Sequence, residues 1–233
     1  MLASSALEHL HEHQDPHVRR TAQALVADRI RIEVLSGNLA PGTRLQQANV
    51  AERMKTSTTP VREAFRELAG EGLIDLDPHR GVIVHEPTKL ELLEVYEMRS
   101  VLEPMCMTKT VERISDRELD DAEVLCRQME RERVPGAWVI LNDRFHSILV
   151  SACRSPLLIA TVNNLRNRSA IYIAASFRSQ PDRMAAANDE HKSMVDACRR
   201  RDMEAALQQM RLHIKATVDL VSVYLEQHAP ARI

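Results

Sequence analysis

Ser57-Thr58-Thr59-Pro60-Val61-Arg62-Glu63-Ala64-Phe65-Arg66-Glu67-Leu68-Ala69-Gly70-Glu71-Gly72-Leu73 reads as a short helix with a sharply marked start. Ser57, Thr58 and Thr59 are cap-forming residues. Pro60 suits the first turn, because the N–H it lacks has no helical partner there. Val61, Ala64, Phe65 and Leu68 recur at helical spacing and predict one apolar face, with Arg62 and Arg66 one turn apart on another. Gly70 and Gly72 predict the end. Hydroxyls and cations at the N-terminal end suit a DNA major groove, where cap N–H groups and arginines meet phosphates and base edges. Taken alone, the stretch reads first as an ordinary amphipathic surface helix. Its neighbours reverse that reading.

Upstream, Val18 to Ser36 carries an apolar stripe of Ala22, Leu25, Val26, Ile30, Ile32, Val34 and Leu35, ended by Gly37. Leu39-Ala40-Pro41-Gly42 is a turn in which Pro fixes φ before a permissive Gly. Gln46 to Met54 predicts a second short helix, and Lys55-Thr56-Ser57 a tight turn into the opening stretch. Two short helices so joined have helix-turn-helix geometry. Downstream, Leu73–Leu76 and Val82–Val84 flank Asp77-Pro78-His79-Arg80-Gly81 and predict a β-hairpin, a wing with His79 and Arg80 at its tip. His85-Glu86-Pro87-Thr88 reads as a linker.

The rest of the 233 residues predicts no strand. Six helices are expected at about 88–112, 116–132, 136–153, 156–178, 182–200 and 202–228, joined by short connections and so antiparallel. The fold class is therefore mainly α. A flexible arm (1–17) precedes a winged helix-turn-helix domain (18–84) and an all-helical bundle (85–233). The arm's His9, His11 and His13, with His17 beyond, read as solvated rather than metal-binding.

Bulk properties narrow the function. The net charge is −2, and acidic and basic residues balance on both sides of Val84, so DNA affinity must rest on a local patch. Arg44, Arg53, Lys55, Arg62 and Arg66, against Glu52 and Glu63, supply one. Cys106, Cys126, Cys153 and Cys198 form no CxxC pair and sit in apolar patterns, as buried thiols in a reducing cytoplasm would. No apolar run approaches the roughly 18 residues needed to cross a bilayer, and no signal peptide is evident. A cytoplasmic protein is expected.

In the bundle, polar groups interrupt apolar stripes. Asn142 and His146, four apart, accompany Trp138, Leu141, Phe145, Leu149 and Ala152. His191 lies within Met184, Ala187, Met194, Val195 and Cys198, and His213 among Ala206, Met210, Thr217, Leu220 and Tyr224. Buried neutral imidazoles need partners, and a divalent ion (zinc, nickel or manganese) would satisfy all three, with Asn142 adding a carbonyl oxygen. Ordinary hydrogen-bonded core histidines are the other reading. Arg99 shares a side with Leu92, Tyr96, Glu103 and Cys106. It reads either as a surface pair with Glu103 or as an inward guanidinium that forks onto a ligand carboxylate.

These residues resemble GntR-type transcriptional regulators, in the FadR-like branch with an FCD ligand-sensing domain, over about residues 18–228. The N-terminal likeness rests on Ile32, Gly37-Asn38-Leu39-Ala40-Pro41-Gly42, Leu45, Val50-Ala51, Thr59-Pro60-Val61-Arg62-Glu63-Ala64, Leu68, Glu71-Gly72-Leu73, Arg80-Gly81 and Val84. The C-terminal likeness rests on Arg99 with Glu103, Phe145-His146, Glu190-His191 and Arg211-Leu212-His213-Ile214.

The resemblance implies a homodimeric repressor that binds an operator of imperfect two-fold symmetry. It also implies a bundle that senses a small organic acid through a divalent metal. Carried over, the metal ligands are His146, His191 and His213, with Asn142 at the fourth position. Arg99, beside Tyr96 and Glu103, holds the effector's carboxylate. DNA contacts fall to Arg62, Thr58, Thr59, Ser57, Arg66, Arg44, His79 and Arg80.

Three positions depart from the family pattern. Asn142 stands where most relatives have Asp, Thr58 where Arg is common, and Ala48 where many carry Arg. Three imidazoles and an amide leave a divalent charge uncompensated, so an anionic effector is expected as the balancing ligand. The operator is expected to depart from the usual half-site and to rely more on His79 and Arg80.

A metal-dependent enzyme on the three-histidine site is the alternative. It leaves residues 18–84 idle. It also lacks a placed acid or base, since Glu190 neighbours His191 in sequence but diverges from it by about 100° on a helix.

Overall fold

The computed structural model describes residues 21–86, 88–180 and 182–228. The arm with His9, His11, His13 and His17, the helix start expected at Val18, and Pro87 and Pro181 lie outside the described residues.

Helix α1 (Ala22–Leu35) starts at Thr21, whose hydroxyl accepts from the Ala24 N–H. It buries Val26, Ala27, Ile30, Val34 and Leu35, while Leu25, expected on the same stripe, is half-exposed. The Pro41-Gly42 turn leads into a two-residue strand β1 (Arg44–Leu45), too short to show any alternation in sequence. Helix α2 (Gln47–Arg53) and helix α3 (Thr58–Gly70) follow, with Lys55 between them at φ 51°. Helix α3 buries the four predicted residues Val61, Ala64, Phe65 and Leu68 and packs against α1. Gly72, at φ +78°, turns the chain out of it.

Strands β2 (Ile74–Asp77) and β3 (Gly81–Val84) form the expected hairpin, with Ile74 opposite Val84 and Asp77 opposite Gly81. Strand β1 pairs on the other edge of β3, in the order β1-β3-β2. At the tip, Asp77 Oδ1 accepts the N–H groups of His79 and Arg80, each at 2.7 Å. This side-chain turn holds the wing loop without a longer scaffold.

The bundle comprises α4 (Lys89–Arg113), α5 (Asp116–Arg131), α6 (Pro135–Ala152), α7 (Pro156–Ser179), α8 (Asp182–Arg199) and α9 (Met203–His228). Each expected boundary falls within about one residue of these. The local signals explain why. Thr88 caps α4, and Ser115 with Glu118 forms a reciprocal capping box on α5, worth about 1 kcal/mol. Pro135 and Pro156 occupy first-turn positions. Helix α4 packs on α7 and α9, α5 on α6 and α8, and α6 on α7. The four cysteines are free and buried, and burial pushes the Cys126 thiol up to about 12 and Cys198 to about 11.

Helix α7 also reaches the N-terminal helices. Asn164 Nδ2 donates to the Gly70 carbonyl (2.9 Å) and Asn167 Nδ2 to the Glu71 carbonyl (3.2 Å). Carbonyls at a helix C-terminus have no partner within the helix, so α7 completes the end of α3. Alongside, the buried His85 ring lies between carboxylates, Nδ1 2.8 Å from Asp75 and Nε2 3.0 Å from Glu91. Arg168 donates to the same Glu91 at 2.7 Å. The start of α6 abuts the end of α1. A Cβ on Gly136 would stand 2.5 Å from the Ser36 carbonyl oxygen, which only glycine avoids.

Candidate functional site

Two places carry the polar chemistry. The first is the exposed face of α3 and the wing. Ser57, Thr58, Thr59, Arg62 and Arg66 are all exposed, as are His79 and Arg80 at the hairpin tip. Ser57 makes no side-chain cap bond, and among the described residues Arg62 pairs only with Glu63, at 3.5 Å. Arg66 also lies on Glu63, at 3.0 Å. Such exposed pairs contribute little and yield readily to a phosphate or base. Arg44 lies beside the wing, its Nη2 3.6 Å from where a Cβ on Gly81 would be. Arg53, counted in the cationic patch from sequence, donates instead to Glu33 at 3.0 and 3.1 Å.

The second place is a cavity inside the bundle. His146 (α6), His191 (α8) and His213 (α9) meet there, ring centroids 4.9–5.0 Å apart. One ligand atom from each lies within 4.8 Å of the others. Among the described residues, both ring nitrogens of His146 and His191 are buried without a hydrogen-bond partner, and so is Asn142 Oδ1. Burial, with Arg166 and the neighbouring imidazoles, pushes His146 and His191 well below the ordinary histidine value. The rings are therefore neutral at pH 7, with lone pairs free. Orphaned buried nitrogens are costly, and a divalent cation is the group that fits this donor set.

His213 differs from the other two. Burial lowers its pKa against the opposing pull of Glu190, whose Oε2 lies 2.7 Å from its Nδ1. This leaves Nε2 for a ligand, the carboxylate–histidine arrangement that orients metal-binding imidazoles. The sequence reading placed Glu190 away from the histidines, and the structure corrects it. Glu190 does diverge from its neighbour His191, but α9 brings His213 across to it. Arg183 Nη2 holds the same carboxylate at 2.8 Å.

Arg99 points inward and is 2% exposed, which removes the surface-pair reading. Its Nε donates to Glu103 Oε1 (2.6 Å), its Nη1 to Ser169 Oγ (2.9 Å), and its guanidinium lies 4.9 Å over the Tyr96 ring. Arg166, also buried, stands 3.6 Å from Glu103 Oε2, beyond hydrogen-bond reach, with Nη1 unpartnered. Burial works against the charge on Glu103, but Arg99 and Arg166 outweigh it and hold the carboxyl below its usual value.

Arg166, Arg183 and Asp143 line the cavity and were missed from sequence. Arg166 had a readable signal. It falls at helical spacing between Val162 and Ile173 on α7, hidden in the polar run Asn163–Ser169.

A model of the FCD domain matches residues 94–216, just over half of the chain, and a model of bacterial regulatory proteins, gntR family, matches residues 22–84. The chain belongs to the gntR family, in its FCD-bearing branch. In this gntR-family regulator, α3 and the wing lie within the gntR match, and the three histidines within the FCD match. It is similar to the HTH-type transcriptional repressor GlaR of Escherichia coli K12, at 23% identity over 82% of this chain and 92% of the relative. The Nta operon transcriptional regulator of Aminobacter aminovorans is 27% identical over 80% and 88%. Its fold matches the solved structure of E. coli McbR/YncC with a TM-score of 0.77, at 20% identity over 88% of this chain and 99% of the other. The gntR family comprises transcriptional regulators rather than enzymes, which sets the metalloenzyme alternative aside. Among the described residues, no helix is long and apolar enough to cross a membrane.

Proposed function

We propose that this gntR-family regulator is a cytoplasmic, homodimeric repressor whose bundle senses a small organic acid through a bound divalent metal. The observation that carries the sensing is the cavity itself. His146, His191 and His213 converge, Asn142, His146 and His213 line the cavity with the guanidiniums of Arg99 and Arg166, and most polar atoms of these four donors lack partners among the described residues. The metal would supply a Lewis-acidic anchor for a carboxylate, and Arg99 and Arg166 would fix the other side of that group.

Coupling to DNA runs through α7. The helix that carries Arg166 into the cavity, and Ser169 to Arg99, carries Asn164 and Asn167 to the carbonyl end of α3. A ligand that draws on Arg166 biases the seat of the recognition helix, and so the population of operator-competent arrangements. Operator contacts fall to Arg62, Thr58, Thr59, Ser57 and Arg66 in the groove and to Arg44, His79 and Arg80 on the flanking backbone. Homodimerisation is supported by an apolar stripe left exposed along α4, formed by Leu90, Leu93, Met98, Val101 and Met105. Their spacing puts them on one helix side, as an isologous interface requires. Sedimentation velocity reading a monomer at micromolar protein would remove the dimer.

The function is tested by fluorescence anisotropy on duplex DNA from upstream of the protein's own gene, with Zn²⁺ and a panel of organic acids. Saturable, sequence-specific binding that an acid alters is expected. Binding that never exceeds a random duplex would sink the reading.

The amide at Asn142 makes a further prediction. Asn142→Asp adds a negative charge to the donor set and is expected to tighten Zn²⁺ binding by about 10- to 100-fold while weakening the acid. Calorimetry in which both tighten would count against the charge-balance argument.

A further inference from the structure

Resting on the acid-sensing reading above, we infer that the cavity selects a short dianion, a dicarboxylate, with Arg166 and Arg183 as its two anion-holding arms. Three features of the cavity carry this.

The first is a pair of underused guanidiniums. Arg183 spends only Nη2 on Glu190, and its Nε and Nη1 are buried with no partner among the described residues. Arg166 leaves Nη1 unpartnered, 3.6 Å from the nearest carboxylate oxygen. An unpaired buried guanidinium N–H is costly and is satisfied by an anion that offers two oxygens.

The second is placement. Both arginines line the same cavity as Asn142, His146 and His213. Arg166 joins Arg99 around Glu103 on one side, and Arg183 joins Glu190 behind His213 on the other. The two free guanidinium edges therefore come from different helices, α7 and α8, and are held by different carboxylates. A ligand that reaches both must carry an anionic group at each end. Trp138, Ile173, Phe177 and Leu220 complete the walls, and the space of about 20 Å³ among them means that a dicarboxylate enters only as these side chains move apart, which favours a short one.

The third is charge. Arg99, Arg166 and Arg183 face the carboxylates of Glu103 and Glu190, which leaves one cation in excess before any metal binds. A divalent ion adds two more, and the amide of Asn142 returns none. Asp143 is the remaining acid at the wall. A monocarboxylate cannot close that balance, and a dicarboxylate does so far better.

The test is calorimetry on the full-length protein equilibrated with Zn²⁺, using L-malate and L-lactate, which share a 2-hydroxy acid head and differ by a carboxylate. Malate is expected to bind about 10- to 100-fold tighter, the span of one charge-assisted contact pair. Arg183→Gln should remove most of that preference by weakening malate more than lactate, both acids feeling the loss of the Arg183 hold on Glu190 behind His213. Arg183→Lys, which keeps the charge and the packing, should retain part of it. Thermal melts show which variants are folded, and a misfolded Arg183→Gln leaves the Lys variant to decide. Equal binding of the two acids to the unaltered protein would overturn this assignment alone, as would a preference that both variants keep in full. Binding of neither acid would overturn the acid-sensing reading with it.

Discussion

Arg99→Ala is expected to destabilise the folded protein by about 3–5 kcal/mol at pH 7, the cost of removing one partner from a buried ion pair. Glu103 is 1% exposed and accepts its one short hydrogen bond from Arg99. Without that donor, only Arg166 remains nearby, at 3.6 Å. The wild-type carboxyl is held below the ordinary range, so it contributes stability that is present above about pH 4.3 and lost as pH falls through its folded value. In the variant, burial dominates and raises the folded value, so the same group destabilises above that range. Between pH 7 and pH 5 only the second effect fades, because the first is lost only below about pH 4.3. The penalty should therefore shrink between pH 7 and pH 5 in urea unfolding. A loss below about 1 kcal/mol, or one indifferent to pH, would show that the pair is screened by solvent.

Arg62→Ala is expected to remove operator-specific binding. An arginine that reads a base pair contributes about 1–3 kcal/mol, and the proposed two-fold dimer would read it twice, for about 2–6 kcal/mol or roughly 30- to 10⁴-fold. Arg62 is free to do this, being exposed and held only by a 3.5 Å contact to Glu63. With Ala48 and Thr58 rather than arginines on α2 and α3, little else there can replace it. Anisotropy on operator and random duplexes decides the matter. An equal, mild loss on both would make Arg62 a phosphate contact and shift base reading to Thr58, Thr59 and the wing.

The two effects sit at opposite ends of what the sequence makes legible. The face of α3, the hairpin and the bundle helices could be read because each is encoded locally, by periodicity, caps and prolines. The histidines were legible for the same reason, since His146, His191 and His213 interrupt apolar stripes. Arg166, Arg183 and the reach of Glu190 to His213 were not. Those contacts depend on which helices become neighbours, and periodicity along one helix says nothing of the residue facing it on another. Strand β1 was missed because Arg44–Leu45 is paired only through β3, without a pattern of its own.

Trp138 is the one tryptophan in the chain. Its indole lies near-parallel to His191, centroids 5.8 Å apart at 22°, and meets Phe177 edge-on at 4.9 Å. Its Nε1 donates to Asn188 at 2.9 Å, which fixes the ring. Tryptophan emission, excited to the red of the three tyrosines, thus comes from a single immobilised fluorophore at the wall of the cavity. Occupancy of the histidine cluster can be followed optically, in unlabelled protein and in the presence of DNA. The arrival of the proposed ion and of the proposed acid would be timed separately on the same sample.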